Sequence, residues 1–253
     1  MTFQEKIDKL NHMIADARRI VFFTGAGIST GSGIPDFRSA DGLYNTSEEA
    51  DPEYMLSADC LYKEPAKFYK YLREHMDFSK AEPNIAHRII SELQLTRTVS
   101  VVTQNIDGLH EKAGSKAIAN IHGSLANFYC DECGAHHFPV ELIYEGQYDS
   151  LPDCVPRCTE CFGSALIRPN ITLYGEGLPA EDWQLALHWT RQADLFIVVG
   201  SSLTVSPANL IPHYFGRDDK LVVINRDFVP VAAELVFNED ICEVFENIKV
   251  PQP

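Results

Sequence analysis

The segment Phe23-Thr24-Gly25-Ala26-Gly27-Ile28-Ser29-Thr30-Gly31-Ser32-Gly33-Ile34-Pro35-Asp36-Phe37-Arg38 follows a short apolar run, residues 20–23, that reads as a strand. A strand entering a glycine-dense turn lets the backbone approach a dinucleotide pyrophosphate. No Cβ blocks the phosphates, and the next helix start offers unpaired N–H groups to the anion. Gly25, Ala26 and Gly27 are the residues placed for that approach. With Gly31 the spacing is G-x-G-x-x-x-G, one residue longer than the usual fingerprint. Taken alone, such a loop serves equally well as a tight turn. Its tail adds a carboxylate at Asp36, an aromatic face at Phe37 and a guanidinium at Arg38, none of which an ordinary helix start requires.

Two further clusters could do chemistry. Gln104, Asn105 and Asp107 lie within Thr103-Gln104-Asn105-Ile106-Asp107-Gly108-Leu109-His110, just past a valine-rich stretch that reads as a strand. The carboxyl ends of buried strands are where α/β proteins place ligand contacts. Then comes His122-Gly123. A lone histidine near a strand end is more often structural than catalytic; the polar company of this one favours a proton-handling role.

Cys130-x-x-Cys133 and Cys158-x-x-Cys161 form two pairs separated by 24 residues, beyond the usual gap of about 15–20. Reduced surface thiols or a redox pair are the other possibilities. Two such pairs in polar sequence with little core of its own point to a tetrahedral zinc site. Four thiolates close the coordination sphere, so this zinc is structural. Cys154 lacks the spacing, and His136 and His137 are spare donors. Cys60 and Cys242 read as small buried apolar residues.

These groups must be held by a scaffold. Phe3, Ile7, Leu10 and Ile14 share one helical face; residues 84–93 read as a helix; residues 97–103, 195–199 and 221–224 read as buried strands, with a helical stretch between the last two. Strands alternating with helices imply a doubly wound parallel sheet. Two segments break the rhythm: 40–79, with Phe68, Leu72 and Met76 at helical spacing, and 125–166, with the cysteines. The expected fold is an α/β Rossmann-like unit (1–39, 80–124 and 167–253). Beside it a helical insertion (40–79) and a zinc-ribbon insertion (125–166) form a small domain, with the chemistry in the cleft between.

The formal charge of −15 argues against non-specific binding to nucleic acid or an anionic membrane surface. The first 19 residues scatter charge and lack the apolar centre of a signal peptide. No apolar run approaches a membrane span. A cytoplasmic, monomeric protein is expected.

The glycine loop, the Gln-Asn-Ile-Asp run, the His-Gly pair, the cysteine pairs, Arg168–Glu176, Gly200–Pro207 and Ile224–Asp227 occur here in an order that resembles the sirtuins, NAD-dependent protein lysine deacylases, in their short bacterial form. The resemblance runs from about residue 19 to about residue 247. It implies NAD across the large unit, with its pyrophosphate on Gly25–Gly27, and Asp36, Phe37 and Arg38 flanking the nicotinamide end. Asn105 and Asp107 would order the nicotinamide pocket, and Gln104 would lie near the ribose. Gly200, Ser201 and Ser202 would lie behind the second phosphate, Asn225 at the adenosine ribose and Cys242 at the adenine. The acyl-lysine oxygen would attack the nicotinamide ribose, nicotinamide would leave, and His122 would be the general base toward a ribose hydroxyl. The acetyl group would end on ADP-ribose. A peptide would enter as an added strand between Gly175-Glu176 and a segment containing Leu203 and Val205.

Three departures bear on specificity. Thr172 and Tyr174 stand where the family commonly has Val and Phe, and Ser206 where an aromatic is usual. Tyr69, expected at the acyl pocket, is followed three residues later by Leu72 rather than arginine; Arg73 is one step on, a turn of about 100°. Acetyl and short neutral acyl groups are therefore expected. The alternatives are a deacylase preferring longer neutral acyl groups and a protein ADP-ribosyltransferase, the latter disfavoured by an intact His122.

Overall fold

The computed structural model describes residues 1–36, 51–136 and 153–251. Strand β1 (Arg19–Thr24) has five successive buried residues, because a parallel strand covered on both faces needs an unbroken apolar run. β2 (Thr98–Thr103) and β6 (Leu195–Val199) also bury five residues in succession, Ser100 among those of β2, and β7 (Leu221–Ile224) buries all four of its own. With the short β3 (Ile118–Asn120) and β8 (Leu235–Phe237) they form a six-stranded sheet ordered β3-β2-β1-β6-β7-β8. Every neighbouring pair is parallel. Counted within this sheet alone, the order is 3-2-1-4-5-6, the doubly wound arrangement, and the chain reverses direction across the sheet between β1 and β6.

On one face lie α1 (Phe3–Asp16) and α5 (Ile85–Thr96), which share an apolar core with α8 (Ile241–Glu246). Ile7, Leu10 and Ile14 of α1 are buried in it and Phe3 packs against it. The short α6 (Leu109–Lys112) follows β2, and on the other face α7 (Ala180–Gln192) covers the sheet with Ala186 and Leu187. The helical stretch expected between β6 and β7 is two 3₁₀ segments, Ala208–Tyr214 and Asp218–Lys220. Pro212 inside the first one precludes a regular α-helical ladder.

A separate core joins α2 (Pro52–Met55), α3 (Ala58–Lys63) and α4 (Pro65–His75) to an antiparallel ribbon of β4 (Gly123–Cys130) and β5 (Ile167–Ile171). Phe68, Tyr69, Leu72, Phe128, Cys130, Cys158 and Ile167 are all buried there. Both segments that interrupt the α/β rhythm thus contribute to one apolar cluster, and β4 begins three residues after Asn120, where β3 ends.

Candidate active site

The polar residues singled out by the sequence cluster just beyond the carboxyl ends of the sheet strands. Gly25 follows β1, Gln104 follows β2, Gly200 follows β6 and Asn225 follows β7; His122 lies two residues past β3 and Asp240 three past β8. A doubly wound sheet collects its ligand contacts on this rim.

The loop after β1 is held against the loop after β6 by backbone bonds. Gly25 N–H donates to the Val199 carbonyl (3.0 Å), and Gly27 N–H to the Gly200 carbonyl (2.9 Å). A Cβ on Gly27 would lie 2.7 Å from Gly200 Cα, so the two loops touch backbone to backbone. Asn84, the N-cap of α5, accepts from Ala86 N–H through Oδ1 (2.9 Å) while its amide donates to the Ile28 carbonyl (2.7 Å) and to Ser32 Oγ (3.0 Å).

Asn105 is buried and donates through Nδ2 to the Gly25 carbonyl and to Ser29 Oγ, both at 3.1 Å. Ser29 Oγ in turn donates to Asp107 Oδ2 (2.6 Å), and Asp107 Oδ1 accepts from Leu109 N–H (2.9 Å). Burial raises the Asp107 pKa, and the Ser29 and Leu109 bonds oppose that rise. Ala26, Ser29, Ile34, Pro35, Phe78, Asn105, Ile106 and Asp107 line one small cleft.

Gln104 ties this cleft to the β6 loop, donating to Ser201 Oγ (2.8 Å). Its own carbonyl lies 2.9 Å from His122 Nδ1. A carbonyl only accepts, so the proton sits on Nδ1 and the Nε2 lone pair is left available. Burial lowers the His122 pKa, against the opposing pull of the Gln104 carbonyl. An imidazole neutral at physiological pH with a free Nε2 is suited to accept a proton. The His122 carbonyl accepts from Thr172 N–H (2.9 Å), placing the start of the 172–176 turn beside this base.

A second cleft is lined by Gly27, Thr30, Gly31, Asp36, Asn225, Arg226, Asp227, Glu239, Asp240 and Cys242, among others. Asn225 and Cys242 meet there. Asp36 lines this cleft as well. Phe37 and Arg38 lie outside the described residues.

Tyr69 is also corrected. It is wholly buried and its hydroxyl donates to the Ile167 carbonyl, so it faces the small core and not an acyl pocket. Glu176 is turned inward too, both of its carboxylate oxygens engaged by Arg168. Tyr174 and Gly175 remain exposed on the turn. Ser201 and Leu203 are buried, Ser202 Oγ lies 2.8 Å from Thr204 Oγ1, and the Val205 carbonyl accepts from Asn209 N–H.

His110 packs away from both clefts, its Nε2 3.0 Å from Thr24 Oγ1 and its ring 4.9 Å from that of buried His87. Ser29, Phe78 and Asn84 were not singled out as site residues. The legible signal for Ser29 was its place within the glycine loop, and for Asn84 its position before a helix.

Cys130, Cys133, Cys158 and Cys161 bring their sulfurs within 4.8 Å of one another. Cys130 Sγ is 3.7 Å from Cys161 Sγ, and Cys133 Sγ is 3.9 Å from Cys158 Sγ. Tetrahedral Zn–S bonds of about 2.3 Å require sulfur–sulfur edges of about 3.8 Å. The donor set fits zinc.

Comparison with known proteins agrees with this geometry. Residues 25–207 match the Sir2 family model. The chain is 39% identical over 244 residues to an NAD-dependent protein deacetylase of Listeria monocytogenes, covering 96% of this chain and all of the relative. It is 38% identical over 248 residues to one from Staphylococcus aureus, covering 96% and 97%. A solved Sir2 structure with a deacetylated p53 peptide and 3′-O-acetyl ADP ribose has a TM-score of 0.85 at 35% identity, covering 98% of this chain and 97% of that one. Another, Sir2 with a p53 peptide and NAD+, has a TM-score of 0.81 at 35% identity, covering 97% and 96%. With the glycine crossing, the Asn105–Ser29–Asp107 network and the four-cysteine cluster in place, the chain belongs to the Sir2 family.

Proposed function

We propose that this protein is an NAD-dependent protein lysine deacetylase that moves the acetyl group from lysine to ADP-ribose and releases nicotinamide. The observation that carries this reading is His122: its Nδ1 is committed to the Gln104 carbonyl, which leaves Nε2 free on the same rim as the glycine loop. NAD supplies the electrophilic ribose and the nicotinamide leaving group. Gly25, Ala26 and Gly27 would take the pyrophosphate on a loop whose Gly25 and Gly27 must lack a Cβ to pack against the β6 loop. Asn105 and Asp107, braced through Ser29, orient the nicotinamide end. Gly200, Ser201 and Ser202 back the second phosphate, Gln104 lies toward the ribose, and Asn225 and Cys242 line the adenosine cleft with Asp36. His122 Nε2 takes the proton from a ribose hydroxyl once nicotinamide has left.

The peptide lies as an added strand between the 172–176 turn and the segment with Leu203 and Val205, exploiting main-chain pairing that tolerates many sequences. With Tyr69 withdrawn, acetyl and short neutral acyl groups fit better than acyls with a second carboxylate. The zinc holds the four cysteines and with them the β4–β5 ribbon. We assign residues 1–39, 80–122 and the chain beyond β5 to the NAD-binding unit, and 40–79 with the β4–β5 ribbon and the chain between its strands to the small one, since Ile167 and Ile171 are buried in the small core. The protein would act on lysine-rich proteins, as a monomer in the cytoplasm; the acidic charge favours basic partners over nucleic acid, and no helix among the described residues is long and apolar enough to cross a membrane.

The test is to incubate the protein with NAD and an acetyl-lysine peptide and follow all products by mass spectrometry. Loss of acetyl with O-acetyl-ADP-ribose appearing, both abolished in His122→Ala, is expected. ADP-ribose attached to a protein, with the peptide unchanged, would overturn the assignment in favour of a transferase. The pH profile of kcat/KM should keep its plateau through neutrality and fall only below the ordinary imidazole pKa near 6.5, because burial lowers that of His122.

A further inference from the structure

Glu176 occupies a turn expected to meet the peptide, yet the structure gives its carboxylate a different task. Oε1 accepts from Arg168 Nη1 (2.7 Å), and Oε2 accepts from Arg168 Nη2 (2.8 Å) and from Leu173 N–H (3.0 Å). Glu176 N–H returns a bond to the Leu173 carbonyl (3.0 Å). The turn is therefore closed twice, once by backbone and once by the carboxylate, with Gly175 at φ +92° inside it.

Arg168 is only 5% exposed. Besides Glu176 it donates to Tyr62 Oη (3.2 Å) and the Ile171 carbonyl (3.4 Å), and its guanidinium lies 5.6 Å from the centre of the Tyr129 ring. It is thus anchored at once to α3, to β4 and to the end of its own strand. A planar fork gripping both carboxylate oxygens fixes the plane of the carboxylate as well as its distance. Four residues separate this strand end from Glu176 on the far side of the turn, and Thr172 among them is bonded to the His122 carbonyl.

We infer that Arg168 and Glu176 are positioning residues for the acyl-lysine peptide: their bidentate pair sets the 172–176 turn, against which the peptide pairs, relative to His122. This rests on the deacetylase reading. A buried ion pair contributes little net stability, because desolvation offsets most of the attraction. A merely structural pair would therefore be replaceable by apolar groups of similar size. A positioning pair would not, because only the fork dictates where the turn lies.

The experiment is steady-state kinetics with an acetyl-lysine peptide and NAD, alongside thermal melting, on the wild type, Glu176→Gln and the double variant Arg168→Met/Glu176→Gln. Glu176→Gln keeps the volume and an acceptor for Leu173, so it should fold. It should raise the peptide KM about five-fold or more with the NAD KM within two-fold. The double variant should melt near the wild type and yet raise the peptide KM at least ten-fold. An unchanged peptide KM in both, or an NAD KM rising in the same proportion, would overturn the inference. An active wild type with unaffected variants refutes this inference alone; a wild type unable to deacetylate the peptide refutes the function and the inference with it.

Discussion

The crossing of the β1 and β6 loops makes a quantitative prediction at Gly200. Its φ is +61°, and a Cβ there would lie 2.3 Å from Ile28 N, 2.5 Å from Gly27 C and 2.8 Å from Gly27 Cα. All three neighbours are backbone, so no side chain can swing aside. Gly200→Ala carries a left-handed penalty of about 1–2 kcal/mol and an overpacking penalty of about 1–3 kcal/mol or more. Gly216→Ala is the control: φ is +68°, but nothing lies within 4 Å of its Cβ, so only the first penalty applies. At roughly 2–4 °C per kcal/mol for a chain near this size, the control should melt about 2–8 °C below the wild type. Gly200→Ala should melt a further 2–12 °C lower, as an order-of-magnitude expectation. Because the displaced backbone is the loop proposed to take the pyrophosphate, NAD affinity should fall about ten-fold or more in Gly200→Ala, a loss of about 1.4 kcal/mol, and stay unchanged in the control. Thermal melts and NAD titration calorimetry provide both readouts. If the two variants match in melting temperature and NAD affinity, backbone contact between the loops is not what holds the phosphate site.

Two other outcomes follow from buried polar groups. His87 and His110 are held neutral in the folded protein: burial lowers His87 to about 4, and burial with the neighbouring His87 takes His110 well below its ordinary value. The unfolded chain binds protons at these residues below about 6.5, so the stability from neutral His87 is complete above that pH and is lost as the pH falls toward 4, amounting to about 3 kcal/mol. Urea unfolding of wild type and His87→Leu at pH 8 and pH 5 should show a smaller pH loss in the variant; equal losses would rule the histidine out as the cause. Asn84→Asp keeps a good N-cap but replaces the amide donor to Ile28 and Ser32 with a carboxylate. Two lost bonds at about 0.5–1.5 kcal/mol each should lower the melting temperature by about 2–12 °C and raise the NAD KM about ten-fold, with the peptide KM nearly unchanged. An unaltered NAD KM would show that the phosphate loop does not depend on this amide.

The elements legible in the sequence were those whose burial writes a pattern. Strands β6 and β7 run over the residues their apolar runs mark, because both faces are covered and no polar residue interrupts them. The cysteine pairs announced their site because thiolate chemistry has few other uses for that spacing. Strands β3 and β8, each three residues long, leave no such trace. Side-chain direction was the harder quantity. Tyr69 has the right chemistry for the role expected of it, but the packing of α4 aims it elsewhere. Glu176 shows how such an error could be avoided. A carboxylate in a glycine-containing turn reads as solvent- or substrate-facing, whereas Arg168, eight residues earlier, lies on a strand flanked by Ile167 and Ile171. A charge on a strand entering an apolar core must find a partner there, since burying it unpaired is prohibitively costly. The nearest acid that the returning chain can supply is Glu176, so the unusual residue in that stretch was the arginine, and following its need for a counter-charge leads to the inward-turned carboxylate.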